Sequence, residues 1–282
     1  MAFVVARFGL ISLVFLVVSS VARRGTKLLF TARTKEERLF RRDILIVGGS
    51  IGLGYILQTA GLLTTTTSKS AFLTSTAVVW TPIISFFIGR EKITAKLGSA
   101  VMLTLVGVLL LTQAWRAAQG GMAIGDLLTI GCAIAFGVYI VWIDRVMLHA
   151  REITGNGHAA SLMVTSTQLV AATLLILVFL PVMETPHYSA TPFSIGALIF
   201  TALIATGATA YLQARYQNVV TPSQAAVIYM IEPVVAMLIA EVFLTEQISF
   251  LDALGAVLII AGVIIAQAPK RKDEPIKGMK NL

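Results

Sequence analysis

Between Ser223 and Pro269 the chain carries two apolar runs of membrane-spanning length, folded back on each other at Thr245–Ser249. One acid, Glu232, stands inside the first run, directly before Pro233. A carboxylate is costly in hydrocarbon, and a proline within a span frees a backbone carbonyl that must find another partner. Two such residues on one turn point to a buried, working position. An earlier stretch, Ser70 to Gln113, has the same plan: an apolar run with Pro82, an acidic turn at Glu91, then a run punctuated by glycine.

The remaining sequence is built from similar runs. With 57% hydrophobic and only 13% charged residues, the chain falls well short of the roughly 25% charge of soluble domains. Runs of about 18–22 apolar residues match some 30 Å of hydrocarbon. They lack the alternation that a β-barrel strand requires. The reading is an all-α polytopic membrane protein with nine spans, near 3–21, 44–63, 70–89, 97–114, 124–143, 161–182, 194–213, 223–244 and 251–268.

Charge placement orients these spans. Arg23, Arg24, Lys27, Arg33, Lys35, Arg38, Arg41 and Arg42 follow the first run, so the segment 23–42 is expected on the cytoplasmic face as an amphipathic connection. Leu28, Leu29, Phe30, Leu39 and Phe40 would then dip into the interface. Alternating from there, the cytoplasmic connections and the tail 270–282 hold 19 Lys and Arg, against 2 on the other side. The expected topology places Met1 outside and the basic tail in the cytoplasm, in a cell inner membrane. The net charge of +8 therefore reports topology, and nucleic acid is excluded as a partner.

The two proline-bearing hairpins begin five spans apart, an odd number, so the second is inverted relative to the first. Pro82, Glu91, Ala100 and Gly107 recur in order as Pro233, Glu246, Gly255 and Gly262. That order divides the chain into a first repeat of four spans (1–116), a second of five (117–269) and the tail. Inverted repeats are the mark of secondary transporters.

Within this frame Glu232 can bind a proton, pair with a substrate amine or neutralise an internal cation; a structural acid beside Pro233 is the plain alternative. Arg7 is its partner, a docking point for a substrate carboxylate, or a snorkelling anchor. Gln58, Thr74, Trp80, Tyr139, Gln168, Tyr211 and Tyr229 are candidate pathway residues, each also readable as an interhelical bond or interfacial aromatic. Gln213 and Trp142 belong to the same set. Pro82 and Pro233 are candidate hinges. Cys132 is a lone packing residue, and His149, His158 and His187 lack metal-ligand spacing. No HExxH, G-x-S-x-G, CxxC or P-loop pattern is present, so neither an enzyme nor a cofactor is expected. Expected partners are a small-molecule substrate and the lipid bilayer; pairing with a second copy is left open.

Several stretches resemble the drug/metabolite transporter superfamily and its EamA-type carriers: Arg7–Phe8 at a span start, SKSAFLTSTAVVWTPIISFFIGREK (68–92), IYMIEPVVAMLIAEVFLTEQ (228–247) and LGAVLIIAGVIIA (254–266). The resemblance implies two inverted five-helix repeats around a central cavity. The opening FVVARFGLISLVFLVV looks like that family's second span, so either the true start lies upstream of Met1 or this is a nine-span form of a ten-span fold. It further implies metabolite export, of amino acids or related solutes, with proton coupling through Glu232. The rival reading is a membrane-embedded interaction protein without transport activity.

Overall fold

The computed structural model describes residues 1–116, 123–183, 191–244 and 248–268. The described chain folds into helices α1 (Ala2–Val18), α2 (Ser20–Leu28), α3 (Lys35–Gly61), α4 (Thr67–Ser75), α5 (Ala77–Phe87), α6 (Ala95–Thr112), α7 (Ile124–Thr154), α8 (Gly157–Met183), α9 (Pro192–Phe200), α10 (Thr209–Tyr216), α11 (Pro222–Tyr229), α12 (Ile231–Leu244) and α13 (Phe250–Gln267). A π-helical turn, Thr201–Ala208, joins α9 to α10 in one continuous span. Threonine hydroxyls follow its wider winding: Thr206 donates to the Thr201 carbonyl, five residues back, at 2.9 Å.

Eight of the resulting spans are long and apolar enough to cross a membrane, and α1 joins them as a ninth if the bent pair α1–α2 counts as one. The bend is 117°. Its causes are local. Ser19 leaves the helix in an extended conformation and accepts from the Ala22 amide, starting α2. Arg23 folds back and donates to the Leu16 carbonyl at 2.8 Å, satisfying an end group of α1. The first part of the connection predicted over 23–42 is thus α2, laid against α8 with Gly25 facing Met163 and Thr167, and its last part is the start of α3.

Helix α3 starts at Lys35, nine residues before the predicted span, because Thr34 and Glu37 form a reciprocal capping box. Phe40 is therefore a core residue, fully buried, and not an interfacial one. Helix α7 runs on to Thr154 through what reads as a polar connection from Asp144, and ends where Gly155 adopts a left-handed conformation (φ 65°). At a rise of about 1.5 Å per residue its 31 residues outreach the hydrocarbon by several turns. The predicted turns at 117–121, 184–192 and Thr245–Ser249, with Glu246 and His187, fall wholly or partly outside the described residues, as does the tail.

Two tight antiparallel pairs organise the bundle. In the first, α3 lies on α7, with Gly61 against Gly125 and Thr129, and Gly54 against the Phe136 ring. An ion pair lies near each end, the first reaching Asp126 from α4. At one end Lys69 Nζ lies 2.6 Å from Asp126 Oδ2, and Thr65 donates to the same carboxylate at 2.5 Å. At the other the wholly buried Asp43 accepts from Arg42 Nε at 2.9 Å. Its second oxygen stands 3.3 Å from Arg145 Nε and 3.4 Å from His149 Nε2, without hydrogen-bond geometry to either.

In the second pair, α6 lies on α13. Gly107 meets Gly255, and Gly262 meets Ala100 and Thr104. These are the residues that the sequence comparison makes equivalent, Ala100 with Gly255 and Gly107 with Gly262. Exchanging equivalents turns the contact of 107 with 255 into that of 262 with 100, which is the reciprocity of a two-fold relation.

The third and eighth predicted spans are each interrupted by one residue, at Thr76 between α4 and α5 and at Met230 between α11 and α12. Pro82 and Pro233 lie six and three residues beyond these interruptions. A proline withholds the amide that the carbonyl four residues earlier would bond, so Tyr229 next to the second break loses its helical partner.

Candidate functional site

A string of polar side chains runs along α7 into its neighbours. Tyr139, buried on α7, donates its hydroxyl to Gln213 Oε1 at 3.0 Å. Gln213 Nε2 donates to Gln217 Oε1 at 2.9 Å, and the Tyr229 hydroxyl donates to the same oxygen at 3.0 Å. Gln217 Nε2 in turn donates to the Ile140 carbonyl at 2.6 Å and lies 3.5 Å from Asp144 Oδ1. Gln217 is thus a hub: one amide joins α7, α10 and α11 inside an otherwise apolar bundle. Low polarity around it strengthens each bond and makes an unpaired member costly.

The connection after α5 reaches the same point. Arg90 Nη1 donates to the Val141 carbonyl at 2.6 Å, one residue along from the carbonyl held by Gln217. Glu91 accepts a hydrogen bond from Ser223 Oγ at the start of α11. Burial pushes the Arg90 pKa below the usual arginine value, while the negative charges of Asp144, Asp43 and Glu91 act against that shift. At this end of the bundle, the connection after α5 and the residues after α10 are therefore clamped to one turn of α7.

Farther along, Gln58 Nε2 donates to Thr74 Oγ1 at 3.3 Å, joining α3 to α4. Trp80 is half-buried on α5, beside Gly137 of α7. Gln168 is wholly buried on α8 and leaves both amide atoms without a hydrogen-bond partner. Arg7 packs its guanidinium 5.0 Å from the ring centre of Tyr55 on α3 and 5.3 Å from that of Phe8. Tyr55 meets Phe8 edge-on at 5.0 Å and Phe136 of α7 at 5.7 Å.

The structure brings Tyr139 and Tyr229 together through Gln213 and Gln217, and pairs Gln58 with Thr74. It leaves others apart. Glu232 is exposed on the first turn of α12 and makes no hydrogen bond or ion pair among the described residues. The expectation of a buried acid fails because α12, beyond the break at Met230, packs only loosely on α6, α11 and α13. Arg7 makes no pair with Glu232. Tyr211 bonds His158 Nδ1 at 2.6 Å on an exposed face, away from the string.

Asp144, Gln217, Arg90, Tyr55 and Phe136 escape the sequence reading. A signal for Asp144 exists: it stands one helical turn after Ile140, once α7 is allowed to run past residue 143. Tyr55 and Phe136 read as ordinary apolar positions until the two helices are placed side by side.

The sequence model of the EamA-like transporter family matches residues 1–113 and 123–267. An uncharacterized transporter of Archaeoglobus fulgidus is 33% identical over 224 residues, covering 79% of this chain and 68% of its own. The uncharacterized transporter YetK of Bacillus subtilis is 24% identical over 275 residues, covering 95% of this chain and 78% of its own. A solved crystal structure superposes with a TM-score of 0.70 at 18% identity, over 94% of this chain and 85% of that one. At that identity the likeness is one of fold alone. With a family match along nearly all of a bundle made of apolar spans, the chain belongs to the EamA-like transporter family and is a multi-pass membrane protein.

Proposed function

We propose that the protein is a secondary transporter of the cell inner membrane that exports small polar metabolites, amino acids or related solutes, by alternating access. The observation that carries the reading is the polar string from Tyr139 to Gln217, closed at one end by Arg90 and Glu91. Such a string suits a path along which a polar solute exchanges hydrogen bonds with side chains instead of water. The interruptions at Thr76 and Met230 supply places where two spans can bend, as discontinuous helices do in transporters. Positive charge gathers at the Arg90 end, which supports a cytoplasmic placement and puts Met1 on the opposite side. The chain carries no phosphate-binding loop in its sequence, so an ion or solute gradient supplies the drive. Export as the direction follows the family resemblance.

The test is uptake into proteoliposomes from a mixed amino-acid and metabolite panel, with and without a pH gradient. Accumulation above that of empty vesicles is expected for part of the panel. Silence from folded protein across the panel would favour a membrane-embedded interaction protein.

Glu232 is the carboxylate assigned to coupling, because it is accessible and bonded to nothing among the described residues. Glu232→Gln is expected to abolish the pH-gradient-driven component of uptake, leaving solute exchange at equal pH intact. Gradient-driven flux that survives the substitution would remove Glu232 from the mechanism. For the topology, a cysteine at Ala2 is expected to react with an impermeant thiol reagent in intact cells, and one at Arg33 only after permeabilisation. The reverse pattern would invert the orientation.

A further inference from the structure

Helix α1 has a single charged residue, Arg7, in its second turn. Its Nε and Nη2 are buried from solvent and have no hydrogen-bond partner, and no carboxylate pairs with it among the described residues. The faces of Phe8 and Tyr55 stabilise the charge in part but accept neither N–H as a carboxylate would. Nε and Nη2 share one edge of the guanidinium plane. That edge presents two parallel N–H groups at the spacing of the two oxygens of a carboxylate. The rest of the site is apolar: Tyr55 continues the wall toward Phe136, and all three of Arg7, Tyr55 and Phe136 retain partial exposure.

We propose that the empty edge of Arg7 binds the carboxylate of the transported solute, whose apolar body lies along Tyr55 and Phe136. The proposal rests on the transporter reading and deepens it: the solute is a small monocarboxylate with an apolar body. A phosphate ester fits less well, because a dianion calls for more than one cation. Other cations are tied down away from this site, among them Lys69 with Asp126, Arg42 with Asp43 and Arg90 with Val141. With no acid beside Arg7 among the described residues to hold an ammonium group, the amine of an amino acid is dispensable for binding.

The experiment is equilibrium dialysis of radiolabelled 4-methylpentanoate with the purified full chain in nanodiscs, competed by L-leucine, L-leucinamide and methyl phosphate. L-leucine is expected to compete, and L-leucinamide and methyl phosphate to do so at least tenfold more weakly. Arg7→Gln is expected to weaken 4-methylpentanoate binding at least tenfold. Arg7→Lys, which keeps the charge without the paired edge, should restore part of the loss. If Arg7→Gln does not fold, the preference of the parent for carboxylate over amide still decides. Equal competition by L-leucinamide, tighter binding of methyl phosphate, or unchanged binding by folded Arg7→Gln each overturns the proposal. Flux of the same solutes in proteoliposomes is read separately. Arg7-dependent binding without flux of any solute would leave the site standing and defeat the transport reading, whereas flux indifferent to Arg7→Gln defeats the site alone.

Discussion

Gly107→Ala is expected to lower the melting temperature of the purified protein by roughly 5–10 °C, while Gly98→Ala on the same helix leaves it unchanged or raises it slightly. A methyl group built on Gly107 would stand 2.6 Å from the Gly255 carbonyl oxygen and 2.9 Å from the Ile259 amide nitrogen. Both atoms are backbone, so no side chain can swing aside and the two helices must separate along their length. Forced overpacking of this kind costs about 1–3 kcal/mol, and more where backbone has to move. Around Gly98 nothing lies within 4 Å. There alanine gains only its better helix propensity, about 0.5–1 kcal/mol. Thermal unfolding followed by circular dichroism separates the pair. Equal effects at the two positions would show that α6 and α13 do not meet at Gly107.

The second large effect is expected at Gln217. Gln217→Ala removes the acceptor of both the Tyr229 hydroxyl and the Gln213 amide, and the donor to the Ile140 carbonyl. Leaving such buried groups unpaired costs about 1–3 kcal/mol for each one that water cannot reach. The end of the bundle near Arg90 should loosen accordingly, since Gln217 is one of the two side chains holding adjacent α7 carbonyls. The readout is thiol labelling of a cysteine placed at Ala214, which is 1% exposed. In the Gln217→Ala background it should react at least tenfold faster from the Arg90 side. The native Cys132 is fully buried and serves as the unreactive internal reference. Unchanged labelling would mean that the hub does not hold this end closed.

Much of the architecture was legible because hydrocarbon imposes one rule: each span must be long, apolar and helical. That rule locates α3 to α13 to within a few residues at most ends. It fails where helices leave the membrane, since a charged helix in water obeys capping instead. Hence the Thr34–Glu37 box at the start of α3 and the extension of α7 to Thr154. Ala100, Gly107, Gly255 and Gly262, noted in the sequence only for their order, meet where α6 crosses α13, because close helix approach admits little besides glycine and alanine at the crossing. Site residues were harder. A polar residue in a span announces that it needs a partner but not which one, so Tyr139 and Tyr229 were visible singly while Gln217, the residue that joins them, was not. Glu232 misled for a related reason: a carboxylate in an apolar run implies shielding only if another element covers it, and α12 is sparsely covered among the described residues.

The alternating-access cycle proposed above would open the Arg90 end in each turn, and the contact between Glu91 and Ser223 ties the connection after α5 to the start of α11 there. The direct measurement is flux in proteoliposomes of a Glu91→Cys, Ser223→Cys protein before and after joining the pair with a short, cleavable bifunctional thiol reagent. Solute flux is expected to fall to the level of empty vesicles when the link is in place and to return on cleavage, with either single cysteine insensitive to the reagent. Full flux through the linked protein would contradict a pathway that opens at this end.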